Sequence, residues 1–216
     1  MKPFLIVTDD QRSDDWRKAR IGMLTGTDAK AMLATIKSGE AAARRDLRTA
    51  LVVERLTGEA QEEGFVSADM KRGTELEPDA LCAYELATDT MVQPVGFLRH
   101  PELPAGCSPD GQVNDFAGIV EVKCPRAANH LAYWRAGAVP AEHMPQVTHN
   151  LWLTGSAWCD FVSYAPQFPE GLRLFVRRVR REHVDLKAYE LAVRLFLGEC
   201  DKELDEMKAL AATVAA

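Results

Sequence analysis

The stretch Gly118-Ile119-Val120-Glu121-Val122-Lys123 constrains this chain more than any other. In an extended strand successive side chains point to opposite faces, so Glu121 and Lys123 share one face while Val120 and Val122 share the other. Upstream lie Gly106-Cys107-Ser108-Pro109-Asp110-Gly111 and then the polar, turn-prone segment Asn114-Asp115-Phe116-Ala117. That spacing predicts an antiparallel hairpin that sets Asp110 beside Glu121.

Two carboxylates and a lysine at one end of a sheet offer hard oxygen ligands, which suit Mg²⁺ or Mn²⁺ better than zinc. A hydrated Mg²⁺ on Asp110, Glu121 and the backbone carbonyl of Val122 would hold a phosphodiester oxygen and acidify a water, with Lys123 orienting that water or steadying the developing charge. An isolated Glu-x-Lys more often marks a cross-strand ion pair on a solvated sheet face. Here it keeps company with Pro109-Asp110 and with flanking Cys-Ser and Cys-Pro pairs.

Pro109-Asp110 followed by Glu121-Val122-Lys123 resembles the PD-(D/E)xK nuclease superfamily, and the fuller strings around them are similar to the bacteriophage lambda exonuclease family of viral recombination nucleases. Trp16, Arg20 before Gly22, and the Thr25-Gly26-Thr27 turn match the start of that family. The resemblance implies an α/β fold with a restriction-endonuclease-like core, a mixed central β-sheet flanked by α-helices. It implies Mg²⁺-dependent 5′-to-3′ digestion of one strand of linear double-stranded DNA, leaving a 3′ single strand for an annealing protein. It also implies a ring-shaped homotrimer threaded by the DNA. By position, Arg20, Thr27, Ser108 and Gln146 would bind the 5′-phosphate, Trp16 would lie near the DNA, and Glu77 would add an acidic group to the metal site. Gln146 matches the family's Q-x-Q helix, although Thr148 stands where many members carry a second glutamine. Within the same superfamily an endonuclease, restriction-type or junction-resolving, would use the same metal site. A non-catalytic DNA-end-binding protein would keep only the shape.

At 216 residues the chain suits a single domain over residues 1–216. The net charge of −6 counts against nucleic acid as partner, but arginines cluster in residues 44–48 and 173–181, where they could grip phosphates. Five cysteines without a C-x-x-C pair argue against disulfides, zinc or an iron-sulfur cluster, and predict reduced, mostly buried thiols. No apolar run reaches the ~18 residues of a membrane span, and the N-terminus lacks a secretory pattern, so a cytoplasmic protein without membrane contact is expected.

Ser13-Asp14-Asp15 predicts a helix start and Gly22 its end, with Thr27 capping a second short helix. Residues 41–57 form a helix with a basic face, closed by Gly58. Residues 64–71 read as a loop or helix start near the DNA. Residues 72–80 lead into a helix through Leu81, Tyr84 and Leu86, with Pro78 in its first turn. Residues 91–100 read as an edge or bulged strand because of Pro94 and Gly96. Helices over residues 129–135 and 140–153 follow, the second with Met144, Val147 and Leu151 on one stripe and His143, Gln146 and Asn150 on the next. His143 and His149 read as surface or core residues. Strands over residues 158–164 and 172–179 form a hairpin, and a helix over residues 182–211 closes the chain.

Overall fold

The computed structural model describes residues 2–8, 10–61 and 67–214. Strand β1 (Leu5–Thr8) leads into helices α1 (Asp14–Arg20), α2 (Ala29–Met32), α3 (Ala42–Thr57) and α4 (Ala68–Thr88). Strands β2 (Phe97–Arg99), β3 (Gly106–Cys107), β4 (Gly111–Val113) and β5 (Gly118–Lys123) follow. Helices α5 (Ala127–Ala136) and α6 (Met144–Thr154), strands β6 (Trp158–Tyr164) and β7 (Leu174–Arg180) and helix α7 (Leu186–Val214) complete the chain. No helix among the described residues is long and apolar enough to cross a membrane.

Helices flank the strands as expected, but the strands divide into two sheets. One is antiparallel, in the order β1-β2-β3; the other runs β4-β5-β6-β7, with β5 and β6 parallel and the remaining pairs antiparallel. The chain passes from the first sheet to the second through Ser108-Pro109-Asp110, where Pro109 has no N–H to offer a ladder. Asp110 therefore stands at the junction of the two sheets. The edge strand expected over residues 91–100 is corrected to the short β2, which is central in its sheet. Its upstream half leaves the ladder except at Gln93, which bridges Gln112.

Strand β5 is buried on both faces. Val120 and Val122 pack with Val162 of β6 and Tyr84 of α4, while Ile119 packs on Val147 and Leu151 of α6. Glu121 shares the Ile119 face and is only 1% exposed, so the ionic face is not the solvated one that an isolated Glu-x-Lys suggests. Gly118 must lack a side chain, because a Cβ there would lie 2.1 Å from the Trp158 ring. In the β4–β5 turn Asn114, Asp115 and Phe116 all take positive φ (49°, 53° and 69°). Asn and Asp tolerate that region; the cost at Phe116 is offset by its edge contact with Phe4, centroids 4.7 Å apart.

Several local expectations are corrected. Ser13 caps α1 as predicted, accepting from the Trp16 N–H. The cap of the next segment, a 3-10 turn over Gly26–Asp28, is Thr25 and not Thr27: the Thr25 N–H and hydroxyl both donate to the Asp28 carboxylate, at 2.8 and 2.7 Å. A buried, capped Thr25 leaves Thr27 exposed. Helix α4 starts at Ala68, capped by Ser67, so Pro78 lies deep in its interior. There it deprives the Thr74 carbonyl of its helical partner. The expectation for residues 64–71 lies partly outside the described residues, and its C-terminal part is the start of α4. The last helix begins after a 3-10 turn over Arg181–His183 and extends to Val214.

Many arginines of the two clusters are engaged within the chain. Arg44 pairs with Glu40 at 2.8 Å and Glu199 at 2.6 Å, Arg48 pairs with Glu40 and Glu203, and Arg55 meets Asp201 at 3.0 Å, so α3 is laced to α7. In the second cluster Arg178 holds the buried Asp160 through two 2.8 Å bonds, with Tyr84 O–H donating to the same carboxylate at 2.7 Å. Arg173, Arg177 and Arg181 donate to the backbone carbonyls of Phe168, Gly137 and Leu151. The cysteines are as expected: Cys107, Cys124, Cys159 and Cys200 are buried free thiols, and Cys82 is exposed.

Candidate active site

The junction between the sheets opens into a cleft of about 550 Å³. Its walls come from α1, the turn before α2, the first half of α4, the end of β5 and the helices α5 and α6. Every residue singled out in the sequence lines it: Trp16, Arg20, Thr27, Glu77, Ser108, Asp110, Glu121, Val122, Lys123 and Gln146.

The hairpin sets Asp110 as predicted. Its N–H donates to the Val120 carbonyl at 3.1 Å, and its Oδ2 accepts from the Val122 N–H at 2.6 Å. Lys123 Nζ donates to Glu121 Oε1 at 2.5 Å, while Asn150 Nδ2 donates to Glu121 Oε2 at 2.9 Å. Burial, with Glu121 close by, pushes the Asp110 carboxyl well above the usual carboxylate range; Lys123 opposes that rise, Glu77 adds to it, and the Val122 N–H opposes it. At Lys123 desolvation works against the ammonium, but Glu121 and Asp110 prevail and raise its pKa. Burial and Glu121 thus oppose an ionised Asp110, and a divalent cation between the two carboxylates would relieve that opposition.

Among the described residues no group of three or more His, Cys, Asp or Glu side chains encloses a metal position. Two carboxylates and a backbone carbonyl are a sparse set of hard donors, which fits Mg²⁺: it keeps several of its waters and is commonly held by one or two carboxylates. Glu77 lines the cleft, but its Oε2 is 2.6 Å from Arg12 Nη2, so its carboxylate is engaged by an arginine.

In the same cleft Trp16 Nε1 donates to Ser108 Oγ at 2.8 Å, and the Arg20 guanidinium lies 4.3 Å from the centre of the Trp16 ring. Because the Ser108 oxygen accepts that bond, its own O–H can turn toward a ligand. Thr27 is exposed beside them, with Thr25 Oγ1 2.9 Å from its hydroxyl. Gln146 enters from α6.

Sequence reasoning left four cleft neighbours without a role. Arg12, in a left-handed conformation (φ 67°), follows Gln11, whose amide anchors on the Val95 and Pro109 carbonyls. His143 lines the cleft and stacks on Phe161 with centroids 5.3 Å apart; burial and then Lys123 push it down to about 4, so it is neutral. Tyr133 lies between His143 and Glu142, 3.3 and 3.4 Å from them. Asn150 lies behind Glu121. The polar stripe of α6 was the available signal for His143 and Asn150, whereas nothing local marks Arg12. His149 is a core residue as expected, with Nδ1 at 2.8 Å from Tyr189 Oη and Nε2 at 2.9 Å from the Gly106 carbonyl.

Comparison with known proteins agrees with this arrangement. Residues 15–157 match the model of the YqaJ-like viral recombinase domain. An alkaline exonuclease from Laribacter hongkongensis, LHK-Exo, is 33% identical over 94% of this chain and 100% of its own, with a TM-score of 0.85. The same enzyme in complex with dAMP gives 34% identity, the same coverage and a TM-score of 0.85. A phage-related exonuclease from Haemophilus somnus 129PT, at 15% identity over 86% of this chain and 96% of its own, shares the fold with a TM-score of 0.65. No curated protein matches. The core is thus restriction-endonuclease-like, and the resemblance read from the motifs to the lambda exonuclease family holds.

Proposed function

The chain belongs to the family of YqaJ-like viral recombinase domains, and from that premise we propose that it is a Mg²⁺-dependent deoxyribonuclease, with Mn²⁺ as a possible substitute. It digests one strand of linear double-stranded DNA in the 5′-to-3′ direction and leaves 3′ single-stranded ends for a strand-annealing partner. The convergence of Asp110, Glu121 and Lys123 with Arg20, Thr27, Ser108 and Gln146 in one cleft carries this reading. The LHK-Exo complex with dAMP, a deoxynucleoside monophosphate, supports it for the relative and so for this site.

Asp110, Glu121 and the Val122 carbonyl would hold the ion, which when bound polarises a phosphoryl oxygen and makes a water more acidic at neutral pH. Lys123 has its pKa raised and stays protonated, so it acts as a hydrogen-bond donor and fixed charge and not as a base. It steadies the attacking water or the negative charge on the phosphoryl oxygens. Arg20, Thr27, Ser108 and Gln146 offer a guanidinium, two hydroxyls and a carboxamide, a donor set for a terminal phosphate. Arg20 is braced by the Trp16 ring, which places the cation before substrate arrives.

On this reading the chain is a single nuclease domain over residues 1–216 that works in the cytoplasm, where free thiols persist. It assembles as the ring-shaped homotrimer of the lambda exonuclease family. A linear duplex with 5′-phosphates is expected to be degraded with release of mononucleotides from the 5′ ends in Mg²⁺ and not in EDTA, while a covalently closed circle survives. Cutting of the circle would identify an endonuclease of the same superfamily, and no metal-dependent loss of either substrate would leave a DNA-end-binding protein.

A further inference from the structure

Glu121 is gripped at both carboxylate oxygens, by Lys123 at Oε1 and by Asn150 at Oε2. Asn150 and Glu121 are each 1% exposed, so this contact is made inside the protein, behind the cleft. An ionised carboxylate only accepts hydrogen bonds, which fixes the Asn150 amide group toward Glu121 and turns its Oδ1 the other way. That oxygen lies 2.7 Å from the place where a Cβ on Gly26 would stand. Gly26 has ordinary negative φ, so its missing side chain serves close approach and not backbone freedom. It opens the turn that carries Thr27, and Gln146 precedes Asn150 by one turn of α6.

We propose that Asn150 is a positioning residue: it fixes the orientation of the Glu121 carboxylate and, through the bare backbone at Gly26, sets that carboxylate in register with the Thr27 turn. The inference rests on the nuclease reading and deepens it. Lys123 alone would hold Glu121 by one oxygen and leave it free to rotate. An amide is neutral, so it orients the carboxylate without cancelling the charge a cation needs, as the outer hydrogen bonds of metal-holding side chains do elsewhere. Asn150 touches neither solvent nor the cleft, and its effect passes entirely through Glu121.

The test is Mn²⁺ binding to the full chain by calorimetry, alongside duplex digestion across a range of Mg²⁺. Asn150→Ala is expected to raise both the Mn²⁺ dissociation constant and the half-saturating Mg²⁺ about tenfold, with KM for duplex ends changed less than about threefold. Gly26→Ala should reproduce the effect by displacing the Asn150 side chain, and the double variant should be no worse than either, as for residues acting through one contact. Should Asn150→Ala fail to fold, Asn150→Ser, whose hydroxyl is too short to reach Glu121, carries the same comparison. Wild-type Mn²⁺ affinity in the folded variants, with only a lower melting temperature, would overturn the proposal and leave Asn150 a packing residue. A wild-type chain that neither binds Mn²⁺ nor digests DNA would overturn the nuclease reading itself.

Discussion

Lys123→Ala is expected to lower the rate of duplex digestion about 10²–10³-fold, the usual cost of removing one preorganised donor at a centre of developing charge. At the upper end that is about 4 kcal/mol of barrier. The lysine is fixed by Glu121 before substrate arrives, so no reorganisation is needed for it to act. Asp110→Asn is expected to do more and reduce digestion to background, because it removes one of the two carboxylates proposed to hold the ion. Binding of a 5′-phosphorylated end, measured by fluorescence anisotropy, should persist in both variants, since Arg20, Thr27 and Ser108 are unchanged in them. Digestion by either variant at the wild-type rate would exclude the proposed site.

The second large effect concerns acid. Burial pushes His149 down to about 4, with the Gly106 carbonyl opposing that shift and Arg20 reinforcing it. The unfolded chain takes up this proton near the ordinary value of about 6.5, so between about pH 6.5 and 4 it binds more protons at this position than the folded one. The contribution is fully present above the unfolded pKa, is lost as pH falls through this window, and amounts to about 3 kcal/mol. Asp110, with its pKa raised, works in the opposite direction, so the comparison must isolate His149. Denaturant unfolding of wild type and His149→Asn at pH 7 and pH 4.5 does so: wild type should lose more stability than the variant between the two. Equal losses would mean that His149 does not titrate as a buried neutral group.

Much of the site was legible because the residues that form it are close in sequence and their faces follow from strand periodicity. Asp110, Glu121 and Lys123 needed only a hairpin and the alternation of side chains, and both are present. What could not be read was set by distant packing. The burial of Glu121 depends on α6, some 30 positions downstream, and its partnership with Asn150 depends on Gly26, more than 100 positions upstream of that residue. Thr27 looked like a cap because Thr25 and Thr27 are equally good caps in isolation; the Asp28 carboxylate decides for Thr25. Pro78 was drawn to a helix start by its own chemistry, and ten residues of α4 before it, with Ser67 as the cap, override that preference. The first arginine cluster looked like a DNA surface because Glu199 and Glu203, the partners of Arg44 and Arg48, lie some 150 positions away on α7.

That lacing of α3 to α7 also sets how the protein responds to salt. Counterions leave DNA only for cations that neutralise phosphates, about 0.9 per phosphate contact. Arg44, Arg48 and Arg55 already face carboxylates of their own chain. A plot of log affinity for a duplex end against log salt concentration should therefore be shallow, with a slope of about −2 to −3, far less than the arginine content of those helices suggests. On the proposed reading, substrate would be held by shape and a few placed donors, so moderate salt would loosen it less than it loosens a protein that grips DNA by a basic surface.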